Sequence, residues 1–207
     1  MALKPRYLQE LSDLFVHDLK RSHYYRKLPE SQRHDLDDRI ADEASQGLYP
    51  LLPCGDEEAL RRLSEAVRKE LNIPLPPSVV DILRQVDGFV ANSVSLYGVD
   101  AELRDDRFDS GPGLLAENLV KWSSFAETIQ KYLFLGDSDL WFFALELDSG
   151  RAVALQRSTL KPAHYFTTVE EMVDDMMQQA LGEFGDEMDD LEDETDNESS
   201  GFNFSRS

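Results

Sequence analysis

Four carboxylates between residues 137 and 148 are the first candidates for catalysis or metal binding. Asp137, Asp139, Glu146 and Asp148 lie close together in the sequence, and paired carboxylates can serve acid–base catalysis or bind a metal ion. Asp137-Ser138-Asp139, however, has the composition of a turn, where aspartates bond to the local backbone. We therefore expect these residues to serve the turn, and we predict no catalytic residue, metal site or cofactor.

Four histidines and one cysteine are the other candidates for metal binding or nucleophilic catalysis. His17, His23 and His34 have spacings that do not place them on one helix face. His164 stands beside aromatic residues at a predicted strand end, and we expect it to be structural. Cys54 has no basic neighbour to lower its pKa, which a catalytic thiol needs. One cysteine also excludes an internal disulfide and a cysteine-rich zinc site.

Sequence motifs of common enzymes are absent from this chain. It contains no His-Glu-x-x-His, no phosphate-binding glycine loop and no Gly-x-Ser-x-Gly. We therefore predict that the protein is not an enzyme, and that it acts by binding.

Composition narrows the kind of partner. The chain has 207 residues, 41% of them hydrophobic, with a formal net charge of −20. Such acidity excludes a protein whose main role is binding the nucleic-acid backbone, and it disfavours docking on an anionic membrane. No apolar run is long enough to span a bilayer, and the N-terminus does not read as a secretory signal. We expect a cytoplasmic protein of one domain plus an appendage.

The charge is unevenly distributed along the chain. Residues 1–34 carry a net +3, residues 35–182 a net −14, and residues 183–207, with ten acidic side chains and one basic, a net −9. Because residues 183–207 contain few apolar side chains among repelling charges, we expect a disordered acidic tail. The tail either keeps the protein soluble or acts as a nucleic-acid-mimicking arm on a basic partner. Its apolar anchors would be Phe184, Met188, Leu191, Phe202 and Phe204.

Hydrophobic periodicity predicts an N-terminal helical extension over residues 1–55. One amphipathic helix starts after Pro5 and ends near Arg21, and a second ends before Gly47. A polar and aromatic connector, residues 22–30, lies between them. Prolines and a glycine over residues 48–55 then mark a boundary with a main domain over residues 56–182.

The main domain is predicted to begin with two helices and a pair of strands. Asp56 can cap the first helix and Gly88 can end the second. The strands over residues 89–99 are interrupted at Asn92-Ser93. A polar loop follows over residues 100–113, and the next helix carries Leu119, Trp122, Phe125 and Ile129.

Strand patterns dominate the rest of the main domain. Residues 132–135 form one strand, and the nearly all-apolar run 140–147 predicts a central strand buried on both faces. The turn 148–150 leads into a returning strand over 151–156. Thr168 and Glu171 have the spacing of a capping box, which opens a final amphipathic helix.

The middle of the chain resembles the SUKH superfamily, which joins bacterial toxin-immunity proteins and fungal regulators of cell-wall synthesis. The resemblance covers about residues 56–181 and depends on the order of short features more than on any one of them. It departs from the family pattern at Asp139 and Leu140, where a second glycine is usual. The features are the helix 56–71, Ile73-Pro74-Leu75-Pro76, the helix 79–86 with Asp87-Gly88-Phe89, Leu96-Tyr97-Gly98, Phe134-Leu135-Gly136-Asp137-Ser138, the strand 141–148, and Phe166 before the capped helix 168–181.

This resemblance implies an α+β fold in which helices cover a mostly antiparallel sheet. It also implies an immunity protein that binds a cognate toxin without catalysis and blocks its active site or substrate groove. An acidic surface suits a basic C-terminal toxin domain, either a nuclease or a protein-modifying enzyme. From charge and loop length, we predict the partner-binding residues Asp100, Glu102, Asp105, Asp106, Asp109, Asp137 and Asp139.

Three other functions remain open at the level of sequence. The chain could be a regulatory scaffold in a cytoplasmic complex, an enzyme with an unrecognised site, or a nucleic-acid mimic that acts mainly through residues 183–207.

Overall fold

The described part of the chain folds into helices packed on one antiparallel sheet. The structure is a computed structural model that describes residues 2–104, 111–124 and 130–182. Within these ranges the helices are α1 (Pro5–Arg21), α2 (His23–Lys27), α3 (Glu30–Ser45), α4 (Glu57–Glu70), α5 (Pro77–Leu83), α6 (Leu114–Ser124) and α7 (Val169–Ala180), with a 3-10 turn at Ala101–Leu103. The strands are β1 (Phe89–Ala91), β2 (Val94–Leu96), β3 (Tyr132–Asp137), β4 (Trp141–Glu146), β5 (Ala152–Gln156) and β6 (Pro162–Phe166). The predicted α+β fold class is confirmed, whereas the predicted tail lies outside the described residues.

The sheet is a meander in which each strand pairs with the next along the chain. Its order is β1-β2-β3-β4-β5-β6, with every pair antiparallel. Asn92 and Ser93 make the first turn at φ values of 45° and 64°, the conformation that a two-residue hairpin needs at both turn positions. The predicted interruption at these two residues is therefore a tight turn.

Strand β4 is the central strand that the apolar run predicts. The side chains of Phe142, Phe143, Ala144 and Leu145 are all buried, so both faces of β4 are covered. Leu140 differs from the prediction, because it lies before the strand and is 67% exposed.

Helix α7 covers one face of the sheet, and α1 and α5 pack against it. The side chains of Met172, Val173, Met176 and Met177 are completely buried. The predicted capping box is present at the start of α7, where the Glu171 N–H donates to the Thr168 hydroxyl at 3.1 Å.

Helix α6 covers the other face at β3, and α4 packs against α6. Asn118, fully buried, ties α6 to the strand with its side-chain amide. Its Nδ2 donates to the carbonyl oxygens of Leu114 and Phe134, and its Oδ1 accepts from the Phe134 N–H, each at 2.8 Å. All three bonds are needed, since an unpaired buried amide would be destabilising.

The N-terminal helix α1 contributes to the same core as the sheet. Its Leu8 and Leu11 are buried within the core cluster. The N–H of Lys4 donates to Asp174 Oδ1 at 2.9 Å, and the Tyr7 hydroxyl donates to Gln178 Oε1 at 3.2 Å. Both contacts join the N-terminal end of α1 to α7. The division at residues 55 and 56 stays a prediction.

The predicted connector over residues 22–30 contains structure that the sequence pattern did not indicate. It forms the short helix α2, with the Ser22 hydroxyl accepting from the Tyr25 N–H at 3.1 Å. Helix α3 then begins at Glu30 and buries only Ile40.

Candidate functional site

Asp100, the first of the predicted contact residues, is a buried helix cap. It is 5% exposed, and its carboxylate accepts from the N–H groups of Leu115 at 2.9 Å and Ala116 at 2.8 Å. A Cβ at position 113 would collide with this carboxylate, so a glycine is required there. Burial raises the pKa of Asp100, and the backbone N–H groups partly offset that rise. The side chain therefore positions α6 and adds little to an acidic surface.

A second buried aspartate, Asp87, holds the chain after β2. Its carboxylate accepts from the Val99 N–H at 2.6 Å and forms an ion pair with Arg104, and both side chains are almost fully buried. Gly98 lies against this group so closely that its missing Cβ would fall 2.6 Å from the Asp87 carbonyl oxygen. No local sequence pattern indicates this pair, because seventeen residues separate its members.

The two ends of the acid-rich segment are thus fixed to the folded body. Arg104 is held by Asp87 on one side, and on the other the Leu114 N–H donates to the Gly98 carbonyl at 2.8 Å. Glu102 lies in the chain between Val99 and Arg104, the two residues that Asp87 contacts. It is exposed on the 3-10 turn. The predicted contact residues Asp105, Asp106 and Asp109 lie outside the described residues.

Asp137 belongs to a half-buried cluster of opposite charges, together with Glu117, Lys121 and Arg157. Lys121 Nζ lies 2.8 Å from Glu117 Oε2 and 3.7 Å from Asp137 Oδ2, and Arg157 lies 3.8 Å from the same Asp137 oxygen. Two cations and two carboxylates balance each other in this cluster. Asp137 consequently contributes less negative charge to the surface than its sequence position suggests.

Aromatic rings cover the same cluster. Lys121 Nζ lies 4.7 Å from the centroid of the Tyr97 ring and 5.5 Å from that of Phe142, distances at which a cation is attracted to a ring face. The buried Tyr97 hydroxyl has no hydrogen-bond partner among the described residues. Burial and then the charge of Asp137 raise the pKa of Tyr97. The contacts of Lys121 with these rings connect α6 to the sheet.

Asp139 is the predicted contact residue that the β3–β4 turn presents to solvent. The turn is firmly built, since Ser138 and Trp141 bond to each other and Arg157 donates to the Ser138 carbonyl at 2.7 Å. Exposed Leu140 is the next residue. The turn therefore presents one acidic and one apolar side chain on a rigid support.

The outer face of α6 (Ala116, Leu119, Val120 and Ser123) is exposed to solvent. Leu119, one of the residues whose spacing predicts this helix, is 40% exposed, and Val120 is 59% exposed. The buried residues of the helix are Leu114, Asn118 and Lys121. A polar Asn and a Lys therefore lie on the core side. Phe125 and Ile129, predicted in the same helix, lie outside the described residues.

The histidines and the cysteine form no site among the described residues. All four histidines are exposed, and the His164 ring packs edge-on against Phe166. Burial raises the pKa of the Cys54 thiol, which opposes nucleophilic reactivity. Across residues 2–104, 111–124 and 130–182 no group of three or more metal-ligating side chains is arranged to hold an ion.

Comparisons with protein-family models, with curated proteins and with solved structures found no match to this chain. None of the helices in the described ranges is both long enough and apolar enough to cross a membrane. The SUKH resemblance accordingly stays a prediction.

Proposed function

We propose that this chain is an immunity protein that binds and neutralises a cognate toxin domain without catalysis. The observation that carries the proposal is the outer face of α6, an exposed apolar stripe on a chain of net charge −20. Large apolar side chains grouped on a polar surface mark places where proteins associate. The order of short motifs that resembles the SUKH superfamily supports the same function.

Contacts near the two ends of α6 hold the helix in place, as a binding surface requires. Asp100 caps its N-terminus, and Lys121 joins it to Asp137 two turns later. At a rise of about 1.5 Å per residue, Leu114 and Lys121 lie about 10 Å apart along the helix axis. A helix fixed at both points loses little conformational freedom on binding, which favours affinity.

Acidic side chains occur in the turns that adjoin both points. Glu102 is exposed beside the α6 cap, and Asp139 is exposed beside Asp137. In protein interfaces an apolar centre is commonly surrounded by polar side chains. We therefore assign Glu102 and Asp139 to an acidic rim, and we keep Asp105, Asp106 and Asp109 as proposed contact residues on the basis of their charge. Asp100 and Asp137 act as positioning residues for it.

A net charge of −20 favours a partner with a basic surface. A basic surface is attracted over several ångströms and wrong acidic partners are repelled. A toxin domain that uses a basic groove to hold nucleic acid has this chemistry, and occupying the groove would exclude its substrate.

The proposal is tested by affinity capture from the source cell's lysate, with washes at low and then high salt and identification by mass spectrometry. Val120→Lys should reduce capture of a toxin-domain partner by tenfold or more, because central apolar contacts carry most of an interface's energy. Leu48→Lys is the matched control, since Leu48 is 51% exposed and belongs to the connection between α3 and α4. Equal capture by the two variants would remove α6 from the interface. Capture of housekeeping complexes alone would favour the regulatory scaffold.

A further inference from the structure

Arg157 and the turn between β3 and β4 form one surface, which we call the turn surface (Ser138, Asp139, Leu140 and Arg157). The backbone N–H of Arg157 donates to the Leu140 carbonyl at 2.9 Å, and its Nη1 donates to the Ser138 carbonyl at 2.7 Å. Asp139 and Leu140 are exposed on the turn, and the Arg157 side chain is 47% exposed. The turn surface therefore presents a cation, a carboxylate and an apolar side chain to solvent.

The guanidinium group of Arg157 is held in place by the fold. Its Cζ lies 4.9 Å from the centroid of the buried Phe142 ring, within the range of cation–π attraction. Its Nη1 also lies 3.8 Å from Asp137 Oδ2. A free arginine side chain loses much conformational entropy when a partner binds it. Because these contacts already restrict Arg157, ordering it in an interface costs less.

Most of the hydrogen-bonding capacity of Arg157 is unused. A guanidinium group carries its N–H donors in a planar fork. Among the described residues, Nη1 of Arg157 donates to the Ser138 carbonyl, whereas Nε and Nη2 donate to no protein group. A fork of this kind binds a carboxylate through two parallel hydrogen bonds.

Arg84, at the end of α5, shows the same fork when a carboxylate occupies it. Its side chain is 46% exposed, almost the same fraction as that of Arg157. Its Nε and Nη2 donate to the two carboxylate oxygens of Glu57 at 2.7 Å and 3.0 Å, and its Nη1 donates to Asp81 at 2.9 Å. The two arginines are thus equally exposed, but only that of Arg84 has its fork filled from within the described chain.

The turn surface adjoins helix α6. Lys121 of α6 and Arg157 both approach Oδ2 of Asp137, at 3.7 Å and 3.8 Å. Val120, on the outer face of α6, is the residue next to Lys121 in the chain. A partner that covers the outer face of α6 at Val120 therefore comes near Arg157.

We propose that Arg157 binds a carboxylate group of the toxin domain, with Leu140 as the adjoining apolar contact. The inference rests on the proposed function and specifies one feature of the partner. A net charge of −20 repels isolated acidic groups, so this carboxylate belongs to a surface that is otherwise basic. The basic surface accelerates association, whereas the carboxylate provides specificity, because a partner without it would cover Arg157 and leave its N–H groups unpaired.

Acetate tests whether the fork is available in the full chain alone. The nitrogen-15 NMR signals of the arginine Nε–H groups are observed at mildly acidic pH and assigned with Arg157→Lys and Arg84→Lys. Replacing chloride by acetate at constant ionic strength should shift the Arg157 signal. The Arg84 signal should stay unchanged, because Glu57 already occupies its fork. Equal responses of the two arginines would overturn the proposal.

Affinity for the captured toxin domain tests the contact itself. Arg157→Lys keeps the positive charge but loses the fork, so it should raise the Kd about tenfold, mainly through faster dissociation. Arg84→Lys is the matched control and should change the Kd less than about twofold. Thermal melting followed by circular dichroism checks that both variants are folded. Changing the toxin's carboxylates to amides one at a time should then reveal one whose loss costs nothing further in the Arg157→Lys background.

The outcomes distinguish this inference from the proposed function. Weakening by Val120→Lys together with an unchanged Kd for Arg157→Lys would overturn the inference and leave the proposed function standing. A shift of the Arg157 signal in acetate, in a protein that captures no toxin domain, would contradict the proposed function. The assignment of the carboxylate to a toxin would then be wrong as well, and only the carboxylate site would remain.

Discussion

At the scale of single residues, one side-chain type has three roles in this protein. Asp100 caps a helix, Asp137 balances buried cations, and Asp139 faces solvent. Sequence charge alone predicts all three as contact residues, because it does not reveal which backbone N–H groups lie nearby. A signal was nevertheless present for Asp100, since α6 begins after Gly113 with no capping side chain of its own.

Replacing Asp100 tests its role as a cap. Asp100→Asn should lower the free energy of unfolding at pH 7 by about 1–3 kcal/mol, because one of two buried N–H groups loses its acceptor. Urea unfolding with a folded-state check by circular dichroism measures this. An unchanged stability would show that α6 does not depend on the cap.

The pH dependence of the same variant has a defined sign. Because burial raises the pKa of Asp100 above its unfolded value near 3.9, the wild-type carboxyl gains stability as pH falls through that raised pKa. The gap between wild type and Asp100→Asn should therefore widen from pH 7 toward pH 4. A narrowing gap would mean that the N–H groups outweigh burial.

At the scale of elements, locally determined features were predictable and remotely determined ones were not. The α7 cap follows from Thr168 and Glu171 alone, and the Glu171 carboxylate also accepts from the Thr167 N–H at 2.6 Å. By contrast, the outer face of α6 depends on Asn118 and Phe134, sixteen residues apart. Hydrophobic periodicity cannot recognise a core side that carries an amide and an ammonium group.

Glu171→Gln tests the α7 cap. Backbone N–H donation from Thr167 lowers the pKa of Glu171, so its contribution to stability is present above about pH 4.3 and is lost as pH falls through the lowered pKa. At pH 7 the melting temperature of the variant should be about 1–3 °C below that of the wild type. Near pH 2 the two melting temperatures should be equal. A difference that persists in acid would point to packing and not to charge.

At the scale of the whole molecule, the sequence predicted the hairpin of β4 and β5, because a short turn joins these two strands. The turn residues Asn92-Ser93 mark the hairpin of β1 and β2 directly. The contact of α1 with α7 was not readable, since Lys4 and Asp174 are 170 residues apart and no periodicity relates them. The candidate site was predictable in its charge and in its turns, but not in its apolar centre.

Net charge leads to a prediction about association rate. Changing Asp105, Asp106 and Asp109 together to lysine should slow binding of a basic partner about tenfold at low salt, with the difference disappearing at high salt. Stopped-flow or surface binding measures the rate. Asp35, Asp38 and Asp42, exposed on α3, provide a triple-lysine control with the same change in net charge. Equal rates for both triple variants would show steering by total charge rather than by the segment near α6.

The pairing of α1 with α7 also has a consequence for synthesis on the ribosome. At roughly 5–20 residues per second, Asp174 is made about 10–30 seconds after Lys4. During that interval the apolar side chains of α1, including Leu8 and Leu11, have no α7 to cover them. The nascent chain thus presents an amphipathic helix to chaperones until α7 has been made, and this part of the core closes only when α7 emerges.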